Sequence, residues 1–260
     1  MNSIAFRLLS IFVTALAIKL PEQMFFILFW SILFAHNSLS FYKNWSSKNY
    51  LVLGLSFALT AALVYFFTIK AILFLFCLHH GFNDSFNIKF KNEMIYSKAA
   101  RFAFGNLWFA FMCANYSSFA FVRNLPQVEI LISVWIVILI MNLKNLRVAI
   151  FELLMLIVFV FIIQRVQYFE YIVFYHLILW LFIMNTDKEK SFRKENMSFL
   201  ALTILYVAVV VCVFWPFKGF ADSQLASLKI FNSVYGIYHI VFTFWLSKNL
   251  FLKNMGINRV

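Results

Sequence analysis

Ten apolar runs follow one another along this chain with only short, mostly basic spacers between them. They cover about residues 4–18, 23–42, 50–67, 70–88, 97–122, 127–142, 147–164, 168–186, 198–216 and 225–250. A helix that crosses a bilayer needs ~20 apolar residues, so the runs consume nearly the whole chain and leave no room for a separate soluble domain. Composition agrees, with 64% apolar and 12% charged residues and a mean hydropathy of +0.86. A soluble domain is nearer half apolar and a quarter charged. On this reading a soluble globular enzyme, a disordered chain and a secreted disulfide scaffold are excluded. The sequence predicts an all-α, polytopic transmembrane bundle of about ten spans, forming a single domain over 1–260.

The charges test that topology. The net charge is +12, from 22 Lys and Arg against 10 Asp and Glu. With ten spans, sixteen of the basic residues fall on one side, Arg7, Lys43, Arg101 and Arg147 among them, and six on the other. Such asymmetry places the basic side, and with it both termini, in the cytoplasm. It assigns the positive charge to topology and lipid headgroups rather than to nucleic acid. The expected location is the inner membrane of a bacterium, multi-pass. Arg7 and the short apolar stretch ending at Ala15-Leu16-Ala17 have the shape of a signal peptide, but Lys19 and the absence of a polar stretch before the next run argue for retention. Pro21, Pro126 and Pro216 lie in or beside the outer loops, where they can start helices. Cys77, Cys113 and Cys212 form no CxxC and read as small buried apolar residues, not as a disulfide.

Chemistry must then come from polar residues within the runs. The five histidines, His36, His79, His80, His176 and His239, all lie in spans 2, 4, 8 and 10. Measured from the first basic residue at the inner end, His36, His80, His176 and His239 stand 7, 9, 12 and 9 residues away. At 1.5 Å per residue those are depths of ~10–18 Å. Four helices therefore offer imidazoles in one slab. A polar group in hydrocarbon costs several kcal/mol unless paired, and one metal ion would satisfy all four together. His79 projects ~100° from His80, so one of the two is the expected ligand, with His80 favoured. Asp84 lies one helical turn beyond His80 and could ligate the metal or orient a ligating imidazole. Glu152 could face the bundle, whereas Glu129 and Glu170 sit near helix ends. Tyr175 and Tyr238, each just before a histidine, read as packing residues.

All-nitrogen ligation with a carboxylate suits iron, zinc or copper. Non-haem iron is the leading expectation, with haem or zinc as alternatives. The aromatic content (36 Phe, 7 Trp, 11 Tyr) would suit a long apolar substrate entering from lipid. The partners expected are membrane lipid and an apolar small molecule. The leading function is an integral-membrane, histidine-ligated metalloenzyme, an iron oxygenase acting on a lipid-soluble substrate. The alternatives are a haem-binding electron carrier, a transporter or proton-relay protein using the histidines, and a structural protein without chemistry.

The segment Leu78-His79-His80-Gly81-Phe82-Asn83-Asp84 resembles the His-Gly-x-x-Asp and His-x-Gly-x-x-Asp signatures of the Brp/Blh-type retinal-forming β-carotene dioxygenases. The resemblance covers about six residues. It implies a polytopic enzyme holding non-haem iron with histidines from several helices, and oxygen-dependent cleavage of a carotenoid.

Overall fold

Pro21 and Pro126 each stand immediately before a helix, where a missing N–H breaks no helical bond. Their carbonyls accept from Phe25 N and Ile130 N, each at 3.0 Å. Glu22 and Glu129 then occupy the first turns, where a carboxylate complements the helix dipole. The computed structural model describes residues 3–46, 50–66, 69–83, 88, 90–116, 120–161, 170–184, 192–214 and 238. These residues are helical with short connections: α1 (Ser3–Ala17), α2 (Glu22–Ser46), α3 (Tyr50–Phe66), α4 (Ile69–Phe82), α5 (Ile95–Tyr116), α6 (Ala120–Arg123), α7 (Gln127–Met141), α8 (Leu146–Phe161), α9 (Glu170–Met184) and α10 (Phe192–Phe214). Several hydroxyls inside them are satisfied locally. Ser10, Ser31, Thr60, Ser133 and Thr203 each donate to the carbonyl four residues back, at 2.7–2.8 Å. That is how a polar side chain sits in an apolar helix without an orphaned donor.

Among the described residues, no helix is long and apolar enough to cross a membrane. This overturns the expected ten-span transmembrane bundle, its membrane character and the multi-pass inner-membrane location. The physical reason is partly length. Six of the helices, α1, α3, α4, α7, α8 and α9, have 14 to 17 residues. At 1.5 Å per residue they rise about 21–26 Å, short of a hydrocarbon core of about 30 Å. Burial is the other part. Arg7 and Arg101, counted above on the basic side, are 0% and 1% exposed. The apolar surface is not confined to the core, since Leu51, Phe57, Ile140 and Ile204 are exposed.

The described residues group into two compact units. The first takes in residues 1–19 and 73–187. Here α1 packs on α8 and α9, α5 on α6, α7 and α8, and α7 on α8. The contacts give the registers. Arg101, Trp108 and Phe111 of α5 meet Glu152, Met155 and Phe159 of α8 in ascending order, so these two helices run parallel. Phe6 stacks on Phe182 at 5.9 Å while Thr14 and Ile18 line a small space with Tyr171 and Tyr175, so α1 and α9 are antiparallel. Trp135 of α7 donates to Ala149 O of α8 at 2.9 Å. The core between them is aromatic, with Phe104, Trp108, Phe109, Phe111 and Phe159 all buried. In the second unit, residues 20–72 and 188–250, α2 packs on α3 and α10. Phe34 meets the Tyr206 ring at 5.6 Å, and Ser38 Oγ and Tyr206 Oη share a hydrogen bond of 2.6 Å.

Candidate functional site

The first unit brings three imidazoles together. α4 and α5 lie antiparallel, as three pairings show: Cys77 with Cys113, His80 with Phe109, and Gly81 with Asn106. Gly81 allows the close approach, because a Cβ there would stand 2.4 Å from Asn106 Nδ2 and 3.0 Å from its backbone nitrogen. Asn106 cannot swing away freely, since its Nδ2 donates to Phe102 O at 2.7 Å. The glycine thus seats the last turn of α4, and the histidines on it, hard against α5. His176 reaches the same place from α9. Its ring centre is 3.9 Å from that of His80 and 6.1 Å from that of His79, and the two neighbouring histidines are 5.2 Å apart. All three are 3–4% exposed. Phe76 and Phe109 wall the His80 ring at 3.8 and 4.6 Å.

Hydrogen bonds set the tautomers. His80 Nδ1 lies 2.7 Å from Phe76 O. A carbonyl oxygen can only accept, so Nδ1 carries the hydrogen and the lone pair of the neutral ring is on Nε2. His79 Nε2 accepts from Asn83 Nδ2 at 3.0 Å, which puts the hydrogen of neutral His79 on Nδ1. Two imidazolium ions about 4 Å apart would repel by about 4 kcal/mol at an effective dielectric constant near 20. The His80–His176 pair therefore accommodates one positive charge far more readily than two. The arrangement sets two imidazoles in ring contact within an aromatic enclosure, where one of them carries a charge far more readily than both.

It is not arranged as a metal centre. Among the described residues, no group of three or more His, Cys, Asp or Glu side chains is placed to hold a metal ion, which corrects the metal-binding expectation. The geometry gives the reason. With a metal–nitrogen bond near 2.0 Å, two imidazoles in a tetrahedral shell have ring centres about 5 Å apart, whereas His80 and His176 pack ring against ring at 3.9 Å. His79 Nε2, the ring nitrogen that carries the lone pair, is engaged by the Asn83 amide.

The other histidine candidate among the described residues, His36, is buried on α2 in the second unit. His239 and Asp84 lie outside the described residues. His79, set aside above in favour of His80, is as buried as its neighbour and joins the same cluster. No expectation from the spacing foresaw this, because the 100° between neighbours separates two side chains on a helix surface but not in a pocket that receives the helix end.

A second buried polar cluster forms around Glu152, which the sequence reading allowed to face the bundle without identifying its partners. Glu152 of α8 accepts from Arg7 Nη1 on one oxygen and from Arg101 Nε on the other, each at 2.9 Å. Arg101 continues to Glu93 at 3.0 Å, and Ser97 Oγ donates to Glu93 at 2.8 Å. Arg7 also donates to Phe151 O at 3.0 Å and lies 3.5 Å above the Phe151 ring. Two cations and two carboxylates thus neutralise each other out of water, the only economical way to bury them. An acidic residue in the apolar run at 147–164 was the available signal. Its partner Arg7 is 145 residues away in the chain, beyond the reach of any local pattern.

The cysteines divide. Cys77 and Cys113 are buried free thiols with sulfurs 4.0 Å apart, while Cys212 is exposed, against the expectation that all three are buried. The hydrogen bond with Cys77, and then burial, push the Cys113 thiol far up from its ordinary range. Thiolate is the reactive form. At pH 8, iodoacetamide is therefore expected to label Cys212 in the folded chain and leave Cys113 unmodified until denaturant is added. Peptide mass mapping checks this, and labelling of native Cys113 at the rate of Cys212 would refute it.

No family model, no curated protein and no solved structure matches this chain.

Proposed function

We propose that this protein is a proton-relay protein, in which His80 and His176 exchange one proton and His79 is the third station. The reading is carried by one observation, the ring contact of His80 with His176 at 3.9 Å inside a wall formed by Phe76 and Phe109. Histidine is the side chain whose unperturbed charge change falls between pH 5 and 8. Phe76 O keeps the hydrogen of neutral His80 on Nδ1, so a proton arriving at this ring binds Nε2. Electrostatic repulsion limits the pair to one such proton, and a pair that shares one charge can pass it on. Asn83 holds neutral His79 in the same Nδ1–H tautomer.

The test is imidazole nitrogen NMR on the histidine-labelled chain between pH 5 and 8. His80 and His176 are expected to take up about one proton between them as coupled sites. In His176→Phe, the His80 curve should shift and become that of a single site, with the fold retained by circular dichroism. His80→Phe should shift His176 reciprocally. Two rings that stay neutral throughout, or that titrate independently of each other's replacement, would overturn the proposal.

A further inference from the structure

The segments at 90–94 and 140–147, with Ser3, line a recess of about 850 Å³ in the first unit, and no histidine is among its lining residues. Its size lies in the range of small-molecule sites. Lys91, Lys144 and Arg147 line it, together with the amides of Asn92, Asn142 and Asn145, and among the described residues no acidic one does. Three cations around one cavity, with no acid among the described residues that line it, make a positive potential that a cleft focuses rather than disperses.

The fold builds this imbalance. Phe90 to Glu93 forms a tight turn closed by Glu93 N donating to Phe90 O at 3.4 Å, and Asn92 occupies it at φ 61°. Asparagine is among the few residues that take the left-handed region readily. The turn leaves Lys91 and Asn92 exposed and sends the Glu93 carboxylate inward, where Arg101 and Ser97 hold it and its side chain is 0% exposed. The one acid in the 90–94 segment is thereby withdrawn from the recess. Two hydrogen bonds fix the walls. Asn145 Nδ2 donates to Lys91 O at 3.1 Å, and the buried Asn142 Nδ2 donates to Ser97 Oγ at 2.8 Å. Phe90 and Met94 supply an apolar side.

We propose that this recess binds a phosphorylated small molecule, with Lys91, Lys144 and Arg147 contacting its phosphoryl oxygens. Arg147 offers the planar fork that suits two oxygens at once, and the lysines act as point charges. The apolar side would receive the organic part of such a ligand. Nothing in this inference depends on the imidazole cluster.

Inorganic pyrophosphate is the probe, titrated into the 260-residue chain by calorimetry at low ionic strength. Saturable binding is expected, weakened at least about tenfold in Lys144→Glu, a loss of one charge-assisted contact. Lys19→Glu changes the net charge equally at an exposed site outside the recess, and should weaken binding less than about twofold. Arg147→Gln is the second variant should Lys144→Glu not fold, as judged by circular dichroism, and is expected to weaken binding to the same degree. No saturable binding, or an equal loss in Lys19→Glu and the recess variants, would overturn the proposal.

Discussion

Glu152→Ala is expected to lower the unfolding free energy of the first unit by about 3–5 kcal/mol, the range seen when one partner of a buried ion pair is removed. The carboxylate is 4% exposed and serves two guanidinium groups that are each 0% exposed. Removing it leaves two cations out of water with one carboxylate, Glu93, between them. Glu152→Gln keeps the shape but not the charge, and should cost nearly as much. The double variant Arg7→Met/Glu152→Ala should be less destabilised than the sum of its singles, because the methionine removes one of the stranded charges. Denaturant unfolding followed by fluorescence, with the slope checked for constancy, measures all four proteins. A loss below about 1 kcal/mol in Glu152→Ala would show that the network contributes no more than a surface pair does.

Trp108→Ala is expected to cost a comparable 3–5 kcal/mol, as for a large core aromatic cut to a methyl group. Trp108 is 1% exposed and joins three elements. Its Nε1 donates to Met155 O of α8 at 2.9 Å, its ring meets Phe109 edge-on at 4.8 Å, and Tyr175 of α9 lies 6.4 Å away. Phe109 is the wall of the His80 ring, so the cavity should also be visible as a shift of the His80 and His176 imidazole resonances. Trp108→Phe keeps the edge-on packing and loses mainly one hydrogen bond, worth about 1 kcal/mol. The ratio of the two losses separates packing from bonding. Equal losses in Ala and Phe would contradict the packing account.

Helix content was legible from the sequence, because apolar runs bounded by Pro21, Pro126 and short polar spacers are strong local signals. Among the described residues the expected spans are not found, for a physical reason. Apolar helices that bury one another carry the same periodicity and composition as helices meant for lipid, so hydropathy by itself does not say what covers a face. The charge asymmetry misled in the same way. It counted Arg7 and Arg101 on the basic side of a membrane, although each is held inside by a carboxylate distant in sequence or on another turn.

The candidate site was half legible. His80 and His176 were drawn together by depth along their helices, and the structure seats their rings in contact. Depth says nothing of ring orientation, and orientation decides between a metal shell and a packed pair. The place of His79 depended on Gly81 and Asn106, a close approach of two helices that no single-helix reckoning contains.

From its own order of residues, this chain determined that it would be helical and that its histidines would lie within apolar segments. Those are local properties, set by propensity, periodicity and capping within a few turns. Only the tertiary structure decided which charges are buried, which rings touch and where cations face a cavity without an acid. Those outcomes depend on pairs such as Arg7 with Glu152 and His80 with His176, whose energies arise from contact between segments that the chain connects only by long detours.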